Sequence, residues 1–215
     1  MTISKRQPGR PRVEDGPAIE QATVIDAATR AFARNGYEAT SMRGVAREIG
    51  ISHSLLNHYF RTKLDLWKAC VDRCFGTMNR EVGEILARSE HVGDATDNLR
   101  RMIVQYVRLS ERFPENTLLL LREAWLGGER FDYIVDRHFK AFLGAARQYY
   151  GAVQAADRIR PVPWQTLFTV IFLGGPGLFT LNHLVETVSE GEAPPEAARH
   201  AEAVADLVLN GLLKG

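Results

Sequence analysis

Residues 40–63 read TSMRGVAREIGISHSLLNHYFRTK, and their pattern decides the fold. Met42, Val45, Ala46 and Ile49 recur at the spacing of one helix face, so a short helix with a single apolar side is expected. Thr40 and Ser41 stand before it with hydroxyls able to accept from its free N–H groups. Gly50 follows the last periodic residue, where a left-handed residue closes a helix at least cost. Ser52 can then cap a second helix, with Leu56, Tyr59 and Phe60 turned inward and Ser54, Asn57 and His58 facing out. Helix, glycine turn, and helix with a polar outer side form a helix-turn-helix, whose second helix is shaped to enter a major groove.

The combination TS, R, VA, EIGIS, HYF and K at this spacing resembles the TetR family of one-component bacterial transcription regulators. The resemblance is strong from about Ile25 to Leu66; beyond that it is a pattern of helix lengths and apolar positions. It implies an all-α chain: a three-helix DNA-binding domain at the N-terminus and a larger helical domain for ligand binding and dimerisation. The boundaries expected here are a basic, disordered arm over residues 1–16, the helix-turn-helix domain over 17–63 and the helical body over 64–215.

Charge placement agrees with that division. The 215 residues carry a net charge of +1, with 45% hydrophobic and 25% charged residues. Up to Lys63 the balance is +4, and over the remainder it is −3. A basic head on an acidic body suits a protein that meets phosphate at one end. No apolar run approaches the roughly 18 residues of a membrane span, so a cytoplasmic protein with no membrane partner is the default expectation. Cys70 and Cys74, four residues apart on an expected helix, read as small buried apolar residues, with a thiol sensor as the alternative; they are too few for a zinc site. No metal or cofactor is expected.

The arm carries GRPR at 9–12, and Arg10 and Arg12 are expected to lie in a minor groove beside the main site. Pro17 suits a first helical turn, Ile25, Ala28 and Phe32 form an inward stripe, and Asn35-Gly36 ends that helix. Thr62 caps a long fourth helix running through Leu64, Trp67, Val71, Met78, Val82 and Ile85, which joins the two domains. Gly93-Asp94 opens the next helix, with Leu99, Met102, Tyr106 and Leu109 inward, before a break at Phe113-Pro114. Phe131, Val135, His138, Phe142, Ala145 and Tyr149 mark the inward face of a further helix of about 25 residues, followed by a Pro161–Pro163 linker.

Two C-terminal helices close the chain. Leu167, Ile171, Leu178, Leu181 and Val185 form one apolar stripe, and Val204, Val208 and Leu212 another. Paired with a second copy they could form a four-helix bundle, the usual homodimer of the resembling family, and these eight residues are the expected seam. GGPG at 174–177 interrupts the first of the two. Pro176 predicts a kink or bulge, and the glycines could permit close helix approach.

Base reading needs side chains with the right hydrogen-bonding edges. Asn57 matches adenine N6 and N7, Arg43 matches guanine O6 and N7, and His53 and Ser54 sit at the start of the second helix within reach of bases. The TetR resemblance puts these positions at the groove and implies backbone contacts from His58, Tyr59 and Lys63, with the helix N-termini at Ser41 and Lys63 contributing N–H groups. The chain departs from the family's usual pattern at Leu55, where a small or hydroxylated residue is frequent, and at Asn57, where tyrosine is common. Leu55 can pack on a thymine methyl. The operator sequence is therefore open, while double-stranded DNA as partner is not.

The resemblance also implies a small-molecule pocket in the body, with Tyr106, Glu123, Trp125, Phe142, Phe168, Phe172 and His183 as candidate lining residues. Repression relieved by an unidentified effector is the commoner outcome in such proteins. Activation and effector-independent binding are the alternatives. An all-α enzyme is the remote one, since no Ser-His-Asp setting, carboxylate pair or metal spacing emerges.

Overall fold

The computed structural model describes residues 20–89, 95–155 and 159–212. The arm with Arg10 and Arg12, Pro17, the Gly93-Asp94 start and the side chain of Ile85 lie outside the described residues. Helices α1 (Gln21–Ala39), α2 (Met42–Glu48), α3 (His53–Tyr59) and α4 (Lys63–Ser89) build the head and its connection. The body comprises α5 (Ala95–Arg112), α6 (Pro114–Leu126), α7 (Glu129–Ile134), α8 (Lys140–Ala155), α9 (Trp164–Thr180), α10 (Asn182–Val188) and α11 (Ala197–Leu212). One π-helical turn, Val135–Phe139, joins α7 to α8, so the expected long helix is continuous but bulged.

Local signals fix the head. The Ser41 hydroxyl accepts from Gly44 N at 3.1 Å, and the Ser52 hydroxyl accepts from Leu55 N at 3.1 Å. Gly50 has φ 72°, and Ile51 N and Gly50 N donate back to Ala46 O and Arg47 O at 3.0 and 3.3 Å. These are the paired bonds of a Schellman closure, which only a residue free to be left-handed completes without strain. Thr40 behaves differently from expectation: its hydroxyl is buried and donates to Gly36 O at 2.8 Å, anchoring the turn to α1 instead of capping α2. At α4, Thr62 and Asp65 cap each other's backbone N–H reciprocally, at 3.0 and 3.1 Å.

Val24, Ala28, Phe32, Val45, Ala46, Leu56, Phe60 and Trp67 fill the head's core, and Leu119, Leu120 and Ile134 of the body close it from below. A second core packs α11 against α5, with Ala201, Ala205, Val208, Leu209 and Leu212 meeting Leu99, Ile103 and Val107. Small alanines let the two helices approach closely, and Arg100 ties their outer edges by pairing with Glu202 and Asp206.

The GGPG segment resolves into two separate roles. A Cβ on Gly175 would lie 2.7 Å from Val107 Cγ2, so α5 and α9 touch where no side chain fits between them. Pro176 stays inside α9, and the sharp bend comes later, 81° between α9 and α10 at Leu181. That bend breaks the expected stripe from Leu167 to Val185. No single described helix is long and apolar enough to cross a membrane.

Candidate nucleic-acid interface and ligand cavity

α3 offers its outer side to solvent. Ser52, Ser54, Asn57 and His58 are exposed, His53, Leu55 and Tyr59 are partly so, and Leu56 alone is fully buried beneath them. Asn57 Nδ2 lies 3.4 Å from His53 Nδ1, and the Ser52 and Ser54 hydroxyls are 3.0 Å apart, so the polar face is a connected surface. Ser41 and Arg43 are exposed at the start of α2, beside it. These side chains lie on an accessible polar surface held by a packed three-helix core.

Lys63 sits differently from the expected phosphate contact. Its ammonium donates to Tyr37 O at 2.9 Å and lies 4.2 Å from the Tyr37 ring centre, because the unpaired carbonyls ending α1 attract a cation. The same junction holds two arginines from the body. Arg122 donates to Arg34 O at 2.7 Å, and Arg130 pairs with Glu123 at 3.0 Å while lying 4.2 Å from the Tyr37 ring centre. Gly36, at φ 80°, leaves room for Arg122, whose Nη1 would be 2.6 Å from a Cβ there.

Between α4, α5, α8 and α9 lies a cavity with about 910 Å³ of space not filled by atoms, part of it open to solvent. Tyr106, Phe142, Phe168 and Phe172 line it together with Met78, Asn79, Met102, Phe139, Ala146, Tyr150 and Trp164. Among the described residues lining it, none is charged. Burial pushes the Tyr106 phenol well above its ordinary value, so its hydroxyl remains a donor. The other three expected lining residues lie elsewhere. Glu123 is buried but faces the head junction through Arg130, Trp125 is 89% exposed at the end of α6, and His183 stands out on α10 beside Glu186. The apolar run from Leu118 to Leu121 gave α6 no clear inner face, and the bend at Leu181 rotated His183 outward.

The eight residues of the expected dimer seam turn mostly inward. Leu167, Val208 and Leu212 are buried within their own chain, Ile171 and Val204 pack on that core, and Leu178 and Val185 are half-buried. Only Leu181 of the eight is broadly exposed; the outward apolar residues are Val170, Leu173, Leu184, Val188 and Leu207. α5 claims the inner faces of both helices, a long-range contact that periodicity alone does not reveal.

One cluster had no clear signal in the sequence. Asp72 on α4 accepts from Tyr133 Oη at 3.0 Å, Arg137 Nε at 2.9 Å and His138 Nε2 at 2.8 Å. Asn79 Nδ2 donates to His138 O at 2.7 Å, and Phe139, next along the π turn, lines the cavity. The π turn thus joins the cavity wall to the helix that carries the head. His138 was readable as an inward residue, but its partner lies 66 positions away.

A capped helix-turn-helix on a larger helical body with an apolar cavity is the fold of a TetR-type transcription regulator. The chain matches, over residues 24–70, the family pattern described as bacterial regulatory proteins, tetR family. Among solved structures it is similar to the ketosteroid transcriptional regulator KstR2 of Mycobacterium tuberculosis, at 18% identity and TM-score 0.67, covering 95% of this chain and 100% of that one. It is also similar to FadR from Bacillus subtilis, solved with stearoyl-CoA, at 15% identity and TM-score 0.63, covering 89% and 99%. A TetR/AcrR-family regulator from Thermobifida fusca aligns at 18% identity and TM-score 0.60, covering 88% and 96%. No curated protein matches the chain in sequence.

Proposed function

We propose that the chain is a homodimeric repressor that reads a pseudo-palindromic operator through α3 and leaves it when a small molecule fills the body cavity. The exposed polar face of α3, stapled by the Ser52 cap and buried Leu56, carries this reading. Asn57 pairs with adenine, Arg43 with guanine, and Leu55 packs on a thymine methyl. Ser41, Ser52, His53, Ser54, His58 and Tyr59 hold the backbone or neighbouring base edges, and Arg10 and Arg12 extend the contact into the minor groove. Lys63 contributes by fastening α4 to α1, which sets the pose of the head.

Two heads must be spaced to match two half-sites, about one helical turn or a multiple apart. Val170, Leu173, Leu181, Leu184, Val188 and Leu207 supply the apolar surface on which a second copy sits. A ligand favours whichever body shape binds it better, and the Asp72 cluster and the Arg122–Arg130 junction transmit that shape to the head. The neighbours solved with stearoyl-CoA or described as ketosteroid regulators support a body that takes small molecules. Selection of genomic fragments with the purified protein, followed by footprinting, tests the reading. It predicts a two-fold related pair of protected half-sites; protection without symmetry or preference refutes it.

A further inference from the structure

We infer that the body cavity takes an uncharged, largely hydrocarbon molecule bearing one hydroxyl group, held by Tyr106 and the Phe172 carbonyl. This rests on the reading of the cavity as a ligand site and adds the class of ligand. An ionised carboxylate, phosphate or amine would lose its water among walls that offer no opposite charge. The aromatic wall is continuous: Trp164, Phe168 and Phe172 follow at four-residue steps on α9. Phe168 and Phe172 stack at 5.2 Å, and Tyr106 stacks on Phe172 at 6.3 Å. Such faces favour rings or chains of carbon.

A polar point in this wall comes from Pro176. Proline has no N–H, so the Phe172 carbonyl four residues earlier lacks its α-helical donor. The Tyr106 hydroxyl turns to that carbonyl, but at 3.4 Å, long for an O–H to oxygen bond. At that length the donor and the acceptor are only weakly paired with one another. A ligand hydroxyl lying to one side, within reach of both, accepts from Tyr106 and donates to Phe172 O, satisfying both. A ketone or ether would only accept, drawing Tyr106 away and leaving that carbonyl unpaired. Two of the other polar lining groups are already engaged: Tyr150 donates to Val162 O, and the Asn79 amide N–H to His138 O.

Calorimetric titration of the full chain, without DNA, tests this with 4-phenylphenol, biphenyl and biphenyl-4-carboxylate. The phenol binds at least about tenfold more tightly than the carboxylate. Tyr106→Phe weakens the phenol roughly five- to tenfold and leaves biphenyl unchanged, which shows the cavity intact. Ala146→Phe, which fills the cavity, abolishes binding of both. A carboxylate that binds as well as the phenol overturns the ligand class while leaving the cavity as a ligand site. Unchanged phenol affinity in Tyr106→Phe overturns the polar assignment. No binding of any probe to the parent overturns the cavity reading and this inference together.

Discussion

Asn57 and the two cysteines show how differently a side chain behaves on a solvent face and in a core. Asn57 is exposed on α3 with its amide free to pair with adenine except for the 3.4 Å approach to His53. Replacing it with alanine is expected to cost about 1–3 kcal/mol at the preferred base and to relax sequence preference, measured by competition between matched and mismatched duplexes. Equal discrimination by parent and variant would remove Asn57 from the readout. Cys70 and Cys74 are buried between α1 and α4, and desolvation raises both thiols from 9.0 to about 12. In the folded chain they stay protonated, so they contribute stability that is intact below the unfolded value of about 9 and is lost between about 9 and about 12. Alkylation at neutral pH should therefore wait on unfolding, and rapid modification of the native chain would contradict the burial.

Short-range chemistry sets the elements of the head, and it could be read from neighbouring residues. Ser41, Ser52 and Gly50 each act within a few residues of themselves, so caps and the closing turn were legible. Ser52→Ala should lower stability by about 0.5–2 kcal/mol in urea unfolding, by leaving an N–H of α3 unpaired. The body is set by contacts between distant residues. Which face of α9 and α11 turns inward depends on α5, and the bend at Leu181 decides where His183 and Val185 point. Periodicity found those helices and placed their stripe one step away from the outer face. The Asp72 cluster is of the same kind, four groups drawn from two helices and a π turn. Asp72→Ala should destabilise by about 1–3 kcal/mol because His138 and Tyr133 lose their shared acceptor. A variant as stable as the parent would show that the cluster contributes nothing to docking the body on α4.

Reading a two-fold operator requires two heads at a fixed separation. Val170→Glu with Leu207→Glu places charges on the outer apolar surface and should give monomers in sedimentation, with operator affinity falling together with association. Leu212→Ala, on the inner face, should instead cost about 2–5 kcal/mol of stability by opening a core cavity. Dimers that survive the double substitution would place the seam elsewhere. The most direct test of the central claim is the binding of a footprinted operator duplex across a salt series. The expected result is one dimer per site, two half-sites related by two-fold symmetry, and log affinity falling with log salt at about −0.9 per phosphate contact. A monomer that binds, or a duplex affinity indifferent to salt, would contradict it.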